Sequence, residues 1–161
     1  MDIDIRHPDW SSSTDRFAVV ALLDAYARGE TGGGKPLTEF VKANLCRALS
    51  ERPTVSVLLA FGDGEPAGLC VANEGFSTFA CKPLLNIHDL VTAPAHRGNG
   101  IGRALISAAE SVARERGCCK LTLEVLEGNT IARDLYRKTG FVSYELDPAV
   151  GKALFLEKKL D

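Results

Sequence analysis

What this sequence lacks narrows its chemistry first. It has no excess charge of either sign: 19 Lys and Arg against 21 Asp and Glu leave a formal net charge of -2. That balance argues against a protein that binds nucleic acid by neutralising phosphates. No apolar run approaches the roughly 20 residues of a membrane span. The opening Met1-Asp2-Ile3-Asp4-Ile5-Arg6 has neither the basic nor the apolar region of a signal peptide. The expected setting is therefore the cytosol, with no membrane and no nucleic acid as partner. The five cysteines are Cys46, Cys70, Cys81, Cys118 and Cys119. Their number is odd, two are adjacent and none forms C-x-x-C, so neither a disulfide framework nor a metal site is expected. They read as reduced, mostly buried thiols. Repeats, linkers and low-complexity tracts are also missing, and 161 residues suit a single domain, 1–161, with its own core.

What is there is a clear alternation of elements. Ile3 and Ile5 alternate with charged residues as a first strand, stopped by Pro8. Ser11 to Thr14 offer N-caps to a helix carrying Phe17, Val20, Ala21, Leu23 and Ala27. A flexible loop, Gly29 to Pro36, precedes a second helix at 37–49 with Phe40, Val41, Leu45 and Leu49 on its stripe. Two strands, 54–61 and 67–76, flank the hairpin turn Gly62-Asp63-Gly64, and a third runs from Leu84 to Val91. The helix from Gly100 to Arg116 has the apolar stripe Leu105, Ile106, Ala109, Val112 and Ala113, closed by Gly117. A strand at 121–126 follows, then a short helix capped by Asn129 with Ile131, Leu135 and Tyr136 on its stripe. Phe141 to Leu146 and Ala153 to Leu160 read as two last strands. The order implies an α+β fold around a largely antiparallel sheet. The βαβ unit around the long third helix makes 84–91 and 121–126 parallel neighbours.

Chemistry concentrates in the turn Arg97-Gly98-Asn99-Gly100-Ile101-Gly102. Glycines between a strand and a helix let the backbone approach an anion, and the amides of the first helical turn donate to it. Arg97 and Arg103 add charge suited to a diphosphate. The dinucleotide spacing G-x-G-x-x-G fails, because Arg103 or Leu105 occupies the third glycine position. The P-loop spacing is approached at Gly29 to Lys35, but Pro36 stands where Ser or Thr is needed and a helix precedes it in place of a strand. The pattern [QR]-x-x-G-x-[GA] is met by Arg97, Gly100 and Gly102.

With that pattern, the run from Leu85 to Leu105 resembles motif A of the GNAT superfamily of N-acetyltransferases, and Asn129 to Phe141 resembles its motif B. The likeness covers residues 54 to 146 well and the first 50 only by element order. It implies an α/β/α sandwich, a mixed and mostly antiparallel sheet of about seven strands with four helices, binding acetyl-CoA as co-substrate. It implies further that the strand before the loop is bulged and splayed, so that the backbone of Leu90, Val91 and Thr92 pairs with the pantetheine arm. Gly98, Asn99, Gly100, Ile101, Gly102 and Arg103 would then hold the pyrophosphate, and Asn129 would hydrogen-bond the cofactor. Tyr136 lies at the position that protonates the departing thiolate in many relatives. Asp89 and His88 are the candidate bases, with Glu124 behind them. A regular strand offers only one of His88 and Asp89 to a cleft, and a bulge alters that.

Phe76-Ser77-Thr78-Phe79, Lys82-Pro83 and Ile87-His88-Asp89-Leu90 are similar to the diamine (spermidine/spermine) acetyltransferase branch. His88 departs from it, standing where that branch usually has Glu. The expected acceptor is a small primary amine, polyamine or lysine-like, met by carboxylates drawn from Asp89, Glu74, Glu124 and Glu30. The alternatives are a protein or peptide N-acetyltransferase and a non-catalytic acyl-CoA sensor. Family habit implies a homodimer, with Phe155 and Leu156 as contributors.

Overall fold

The alternation of Ile3 and Ile5 does form a strand, β1 (Ile3–Arg6), at the edge of a five-stranded sheet. The computed structural model describes every residue except Leu146 and Asp161. The chain divides into two units, residues 1–123 and 124–161. In the first, β1 is followed by α1 (Ser13–Ala27), α2 (Glu39–Ser50), β2 (Val55–Gly62), β3 (Glu65–Ser77), β4 (Lys82–Thr92), α3 (Ile101–Glu115) and β5 (Leu121–Leu123). The second contains α4 (Thr130–Lys138).

The strands lie in chain order, β1-β2-β3-β4-β5. Each pair is antiparallel except the last, where β4 and β5 run parallel through the α3 crossover. Asp63 and Gly64 close the β2–β3 hairpin with φ of 50° and 87°, the paired positive angles that match the twist of the flanking strands.

Alternation gives the sheet two apolar faces. Val57, Leu59, Phe61, Leu69, Val71 and Val91 meet Ala18, Val19 and Leu22 of α1 and Cys46 of α2. The other face receives α3, whose Ile101, Leu105, Ile106 and Ala109 are each no more than 1% exposed. Burying each of the larger three contributes about 1.5–3 kcal/mol, which fixes the helix that carries the glycine turn.

Several expectations shift. The stripe on α1 is rotated: Ala18, Val19 and Leu22 are buried while Phe17 is 74% exposed. The run from Phe17 to Leu23 is apolar throughout, so periodicity alone cannot choose the face. Phe40 on α2 and Ile131 on α4 are likewise exposed. The strand at 121–126 stops at Leu123, because its ladder with β4 ends at Ile87 and the chain turns, with the Asn129 amide donating to the Leu126 carbonyl at 2.9 Å. Residues 141–145 and 153–160 carry alternating side chains but no strand; Leu146 of the former expected strand lies outside the described residues. The sheet among the described residues therefore has five strands rather than about seven, since alternation makes a strand only where a ladder partner exists. The connection expected at Gly29–Pro36 runs from residue 28 to 38, because α2 starts at Glu39, and it contains a 3-10 turn at Glu30–Gly32.

One buried charge ties β1 to α1. Asp15, 2% exposed, accepts from both terminal nitrogens of Arg6 and from the Asp9 amide, while the Arg6 guanidinium lies 4.6 Å from the Phe61 ring centroid. The Arg6 hydrogen bonds hold the Asp15 carboxyl below its ordinary range against the opposing effect of burial. A depressed native value means stability that is present above the unfolded-state pKa of about 3.9 and lost as pH falls through the native one. Asp15→Asn is expected to cost about 1.5–3 kcal/mol at neutral pH, with the difference shrinking below pH of about 4. Urea denaturation across pH measures both.

Candidate active site

The glycine turn occupies the position its sequence suggests. After Thr92 the chain makes a single 3-10 turn at Pro94–His96, extends through Arg97, and enters α3 from Gly100. Gly98 and Gly100 have φ of 80° and 87°, the left-handed region that costs other L-residues roughly 1–2 kcal/mol. No side chain caps the N-terminus of α3, so its first-turn amides lack the usual oxygen partner. Those amides, the positive end of the helix dipole and the exposed Arg97 and Arg103 give the turn the electropositive character that suits an anion. Neither arginine has a carboxylate partner among the described residues.

A second glycine sets where that turn stands. A Cβ on Gly68 of β3 would lie 2.6 Å from Ile101 Cγ2, 2.8 Å from the Val91 carbonyl and 3.0 Å from Leu105 Cδ1. Only a residue without a side chain lets the first turn of α3 settle onto the sheet there. Sequence reading treated Gly68 as one more strand residue; a lone glycine inside a strand pattern was the available signal.

β4 has two unequal edges. Its ladder with β3 runs as far as Thr92, whereas its ladder with β5 covers only Leu85 to Ile87. From His88 to Thr92 no strand among the described residues pairs with the outer edge. The β3 register also shifts at this point: Ala72 faces Ile87, but Val71 faces Asp89. His88 is the extra residue of a bulge, so two β4 residues oppose Val71. The shift turns Asp89 towards the face of Val71 and Val91, the side covered by α1. His88 is exposed and Asp89 half-buried. Burial pushes the Asp89 carboxyl above its ordinary range, and the charge of His88 opposes that push.

Tyr26, at the end of α1, connects Asp89 to the loop beyond it. The phenol packs against the same core and donates to the Thr31 carbonyl at 3.2 Å. Its pKa is raised by burial and then by the negative charge of Asp89. The loop is tied down further by the Gly32 and Gly34 amides on the Gly29 carbonyl, at 3.0 and 3.1 Å, and by the Lys35 amide on Ala27. Nothing in the residue order sets Tyr26 apart from the other residues of its helix. Of the four carboxylates named for a cationic acceptor, Glu30 belongs to this loop and Asp89 to the strand beneath Tyr26. Glu74 does not join them. It sits three ladder positions away opposite Leu85 and is held by Arg116 at 3.1 Å.

In the second unit, Asn129 caps α4 through its side-chain oxygen, which accepts from the Ala132 amide at 3.2 Å. Its side-chain nitrogen remains a donor. Tyr136 is half-buried and meets Phe141 edge to face, ring centroids 5.7 Å apart. Glu124 belongs to this unit as well.

A family model described as the acetyltransferase (GNAT) family matches residues 19–141. The chain belongs to this family. Among curated relatives, the streptothricin acetyltransferase of Streptomyces lavendulae is 43% identical over 88 residues, 55% of this chain and 44% of that protein. The thialysine N-epsilon-acetyltransferase of Bos taurus is 37% identical over 81 residues, 48% of each chain. These matches span about half the length of the relatives concerned. A solved AAC(6')-Iy in complex with a bisubstrate analogue of CoA superposes with a TM-score of 0.78 at 18% identity, covering 99% of this chain and 100% of that one; at that identity the likeness is one of fold. In GNAT terms, motif A supplies the bulged β4 and the uncapped α3, both present in the first unit.

Gly68→Ala is expected to lower stability by about 1–3 kcal/mol, because two of the three close contacts are with packed side chains and one with backbone. It should also weaken coenzyme A binding by displacing the turn. Calorimetric titration alongside a melting curve separates the two effects.

Proposed function

We propose that this protein is an N-acetyltransferase that transfers the acetyl group of acetyl-CoA to a primary amine of a small molecule, within a single domain. The observation that carries the reading is the conjunction on β4: a half-buried carboxylate delivered by a bulge, an unpaired edge beyond it, and an uncapped helix start after it.

The residues present suit acetyl-CoA. Gly98, Asn99, Gly100, Ile101, Gly102 and Arg103 would hold its pyrophosphate, assisted by Arg97, while the free edge at Leu90, Val91 and Thr92 suits the amide-bearing pantetheine arm. Asn129 would add a hydrogen bond through its side-chain nitrogen. When bound, the cofactor supplies an activated acetyl group as a thioester. The protein's part is proton management. An amine must lose a proton to attack, and Asp89, raised by burial into a more basic range, accepts it directly or through water. A backbone amide near Leu90 or Val91 would polarise the thioester carbonyl. Attack of the amine on the thioester would form the C–N bond and break the C–S bond, and the Tyr136 hydroxyl would give a proton to the departing thiolate.

For the acceptor, the reading favours a lysine-like amine over a polyamine. The pairing of Glu74 with Arg116 removes one of the carboxylates a polycation would use. His88 adds a base or a positive charge beside Asp89. A relative that bears the name of a thialysine N-epsilon-acetyltransferase supports the same lean. The exposed Phe155 and Leu156 support a homodimer, and the cytosol is the setting consistent with free thiols.

Thiol release from acetyl-CoA, followed against lysine analogues, polyamines, aminoglycosides and peptides, tests the assignment. Turnover with lysine-like amines is expected; turnover with peptides alone would replace the acceptor, and tight cofactor binding without turnover would make the protein a sensor. Tyr136→Phe should lower kcat by about 10²-fold or more with acetyl-CoA affinity retained. Asp89→Asn should lower kcat/KM by about 10²–10⁴-fold and abolish the acid limb of the pH profile, which lies above the usual Asp value of about 3.9. The sign for stability is opposite. A carboxyl whose native pKa is raised loses stability as pH climbs through it, so Asp89→Asn should melt higher than the parent at neutral pH.

A further inference from the structure

At the end of the sheet where β2 begins, opposite the end where β4 delivers the glycine turn, lies a cavity of about 200 Å³. That is roughly seven waters' worth of liquid volume, below the roughly 300–1,000 Å³ of most drug-sized sites. Three cationic or protonatable side chains line it: His7, Arg52 and Arg116. None of the residues lining it is a carboxylate. Its apolar wall includes Trp10, the one tryptophan of the chain, and Val57.

The donors at this place are under-used. Arg52 spends one N–H on the Ala48 carbonyl at 2.6 Å and has no carboxylate partner among the described residues. Arg116 uses one terminal nitrogen, on the Pro53 carbonyl and on Glu74 at 3.2 and 3.1 Å. A guanidinium carries five N–H donors in a planar fork, so both retain a face for a planar anion. One ring nitrogen of His7 is engaged with the Val57 carbonyl at 2.7 Å, which leaves the other. Ser56 also lines the cavity, is 3% exposed, and its Oγ has no hydrogen-bond partner among the described residues. A buried hydroxyl without a partner is unusual enough in a native fold to need a reason.

From this cluster we infer that the cavity is a second ligand site, distinct from the glycine turn, for a small organic carboxylate with an apolar or aromatic body. The carboxylate lies between Arg52 and Arg116, and the body lies against Trp10 and Val57.

Trp10 provides the readout. Benzoate is expected to change the fluorescence of the protein saturably. Benzamide, isosteric but neutral, should bind at least tenfold more weakly, and inorganic phosphate, which lacks the apolar body, should do so too. Arg52→Gln should weaken benzoate at least tenfold while leaving the melting temperature and acetyl-CoA binding unchanged. Ser56→Ala should raise the melting temperature and weaken benzoate. The inference is overturned if benzoate gives no saturable change, if benzamide or phosphate binds as tightly, or if Arg52→Gln binds benzoate like the parent. None of these outcomes depends on which amine is acetylated.

Discussion

Between Lys82 and Thr92 one strand serves two neighbours unequally, and the chemistry of the first unit depends on that inequality. On its inner edge β4 stays paired with β3 to its last residue; on its outer edge β5 leaves it after Ile87. Backbone amides and carbonyls cannot remain unpaired without water or a ligand, so a strand released on one side offers an extended partner a ready ladder. The bulge at His88 falls one residue beyond the last β4–β5 pair. Release of the edge and redirection of Asp89 therefore occur together.

The remaining pieces serve to hold that edge beside the uncapped start of α3. α3 returns the chain from β4 to β5, so its N-terminus stands next to the end of β4, and burial of Ile101, Leu105 and Ile106 keeps it there. Gly68 permits the approach from below. On the opposite face, the last turn of α1 carries Tyr26, whose hydroxyl fastens the following loop and is close enough to Asp89 to feel its charge. The Arg6–Asp15 pair ties the start of α1 to the far edge of the sheet. Held at both ends, α1 sets the ceiling over Asp89 without contributing a charge of its own.

Asp89 illustrates how stability and chemistry pull apart. The half-buried Asp89 carboxyl, with the charge of His88 opposing the cost of burial, costs folding energy at neutral pH. Asp15 is more deeply buried yet stabilising, because two Arg6 nitrogens and a backbone amide satisfy it. The same residue type thus holds the fold together where it is paired and has a raised pKa where burial outweighs its partners. Active sites gather the second kind.

Much of this was legible from residue order. The hairpin turn at Asp63-Gly64, the helix start at Gly100 and the cap at Asn129 are local events, decided by positive φ or by a side chain bonding its own backbone, and local chemistry is written in adjacent residues. The parallel pairing of β4 and β5 follows from handedness once a helix separates two strands. What tertiary structure alone decided is long-range. The face of α1, ambiguous over the apolar run from Phe17 to Leu23, is set by the sheet it lies on. The end of β5 at Leu123 is set by its partner, whereas the alternation continues to Leu126. So is the fate of Glu74, neutralised by an arginine 42 residues away, and the nearness of Tyr26 to Asp89. Sequence determined which backbone could bend and which side chains could titrate. Only the packed sheet determined which of them meet, because a contact between distant residues depends on register, and one bulge changes it.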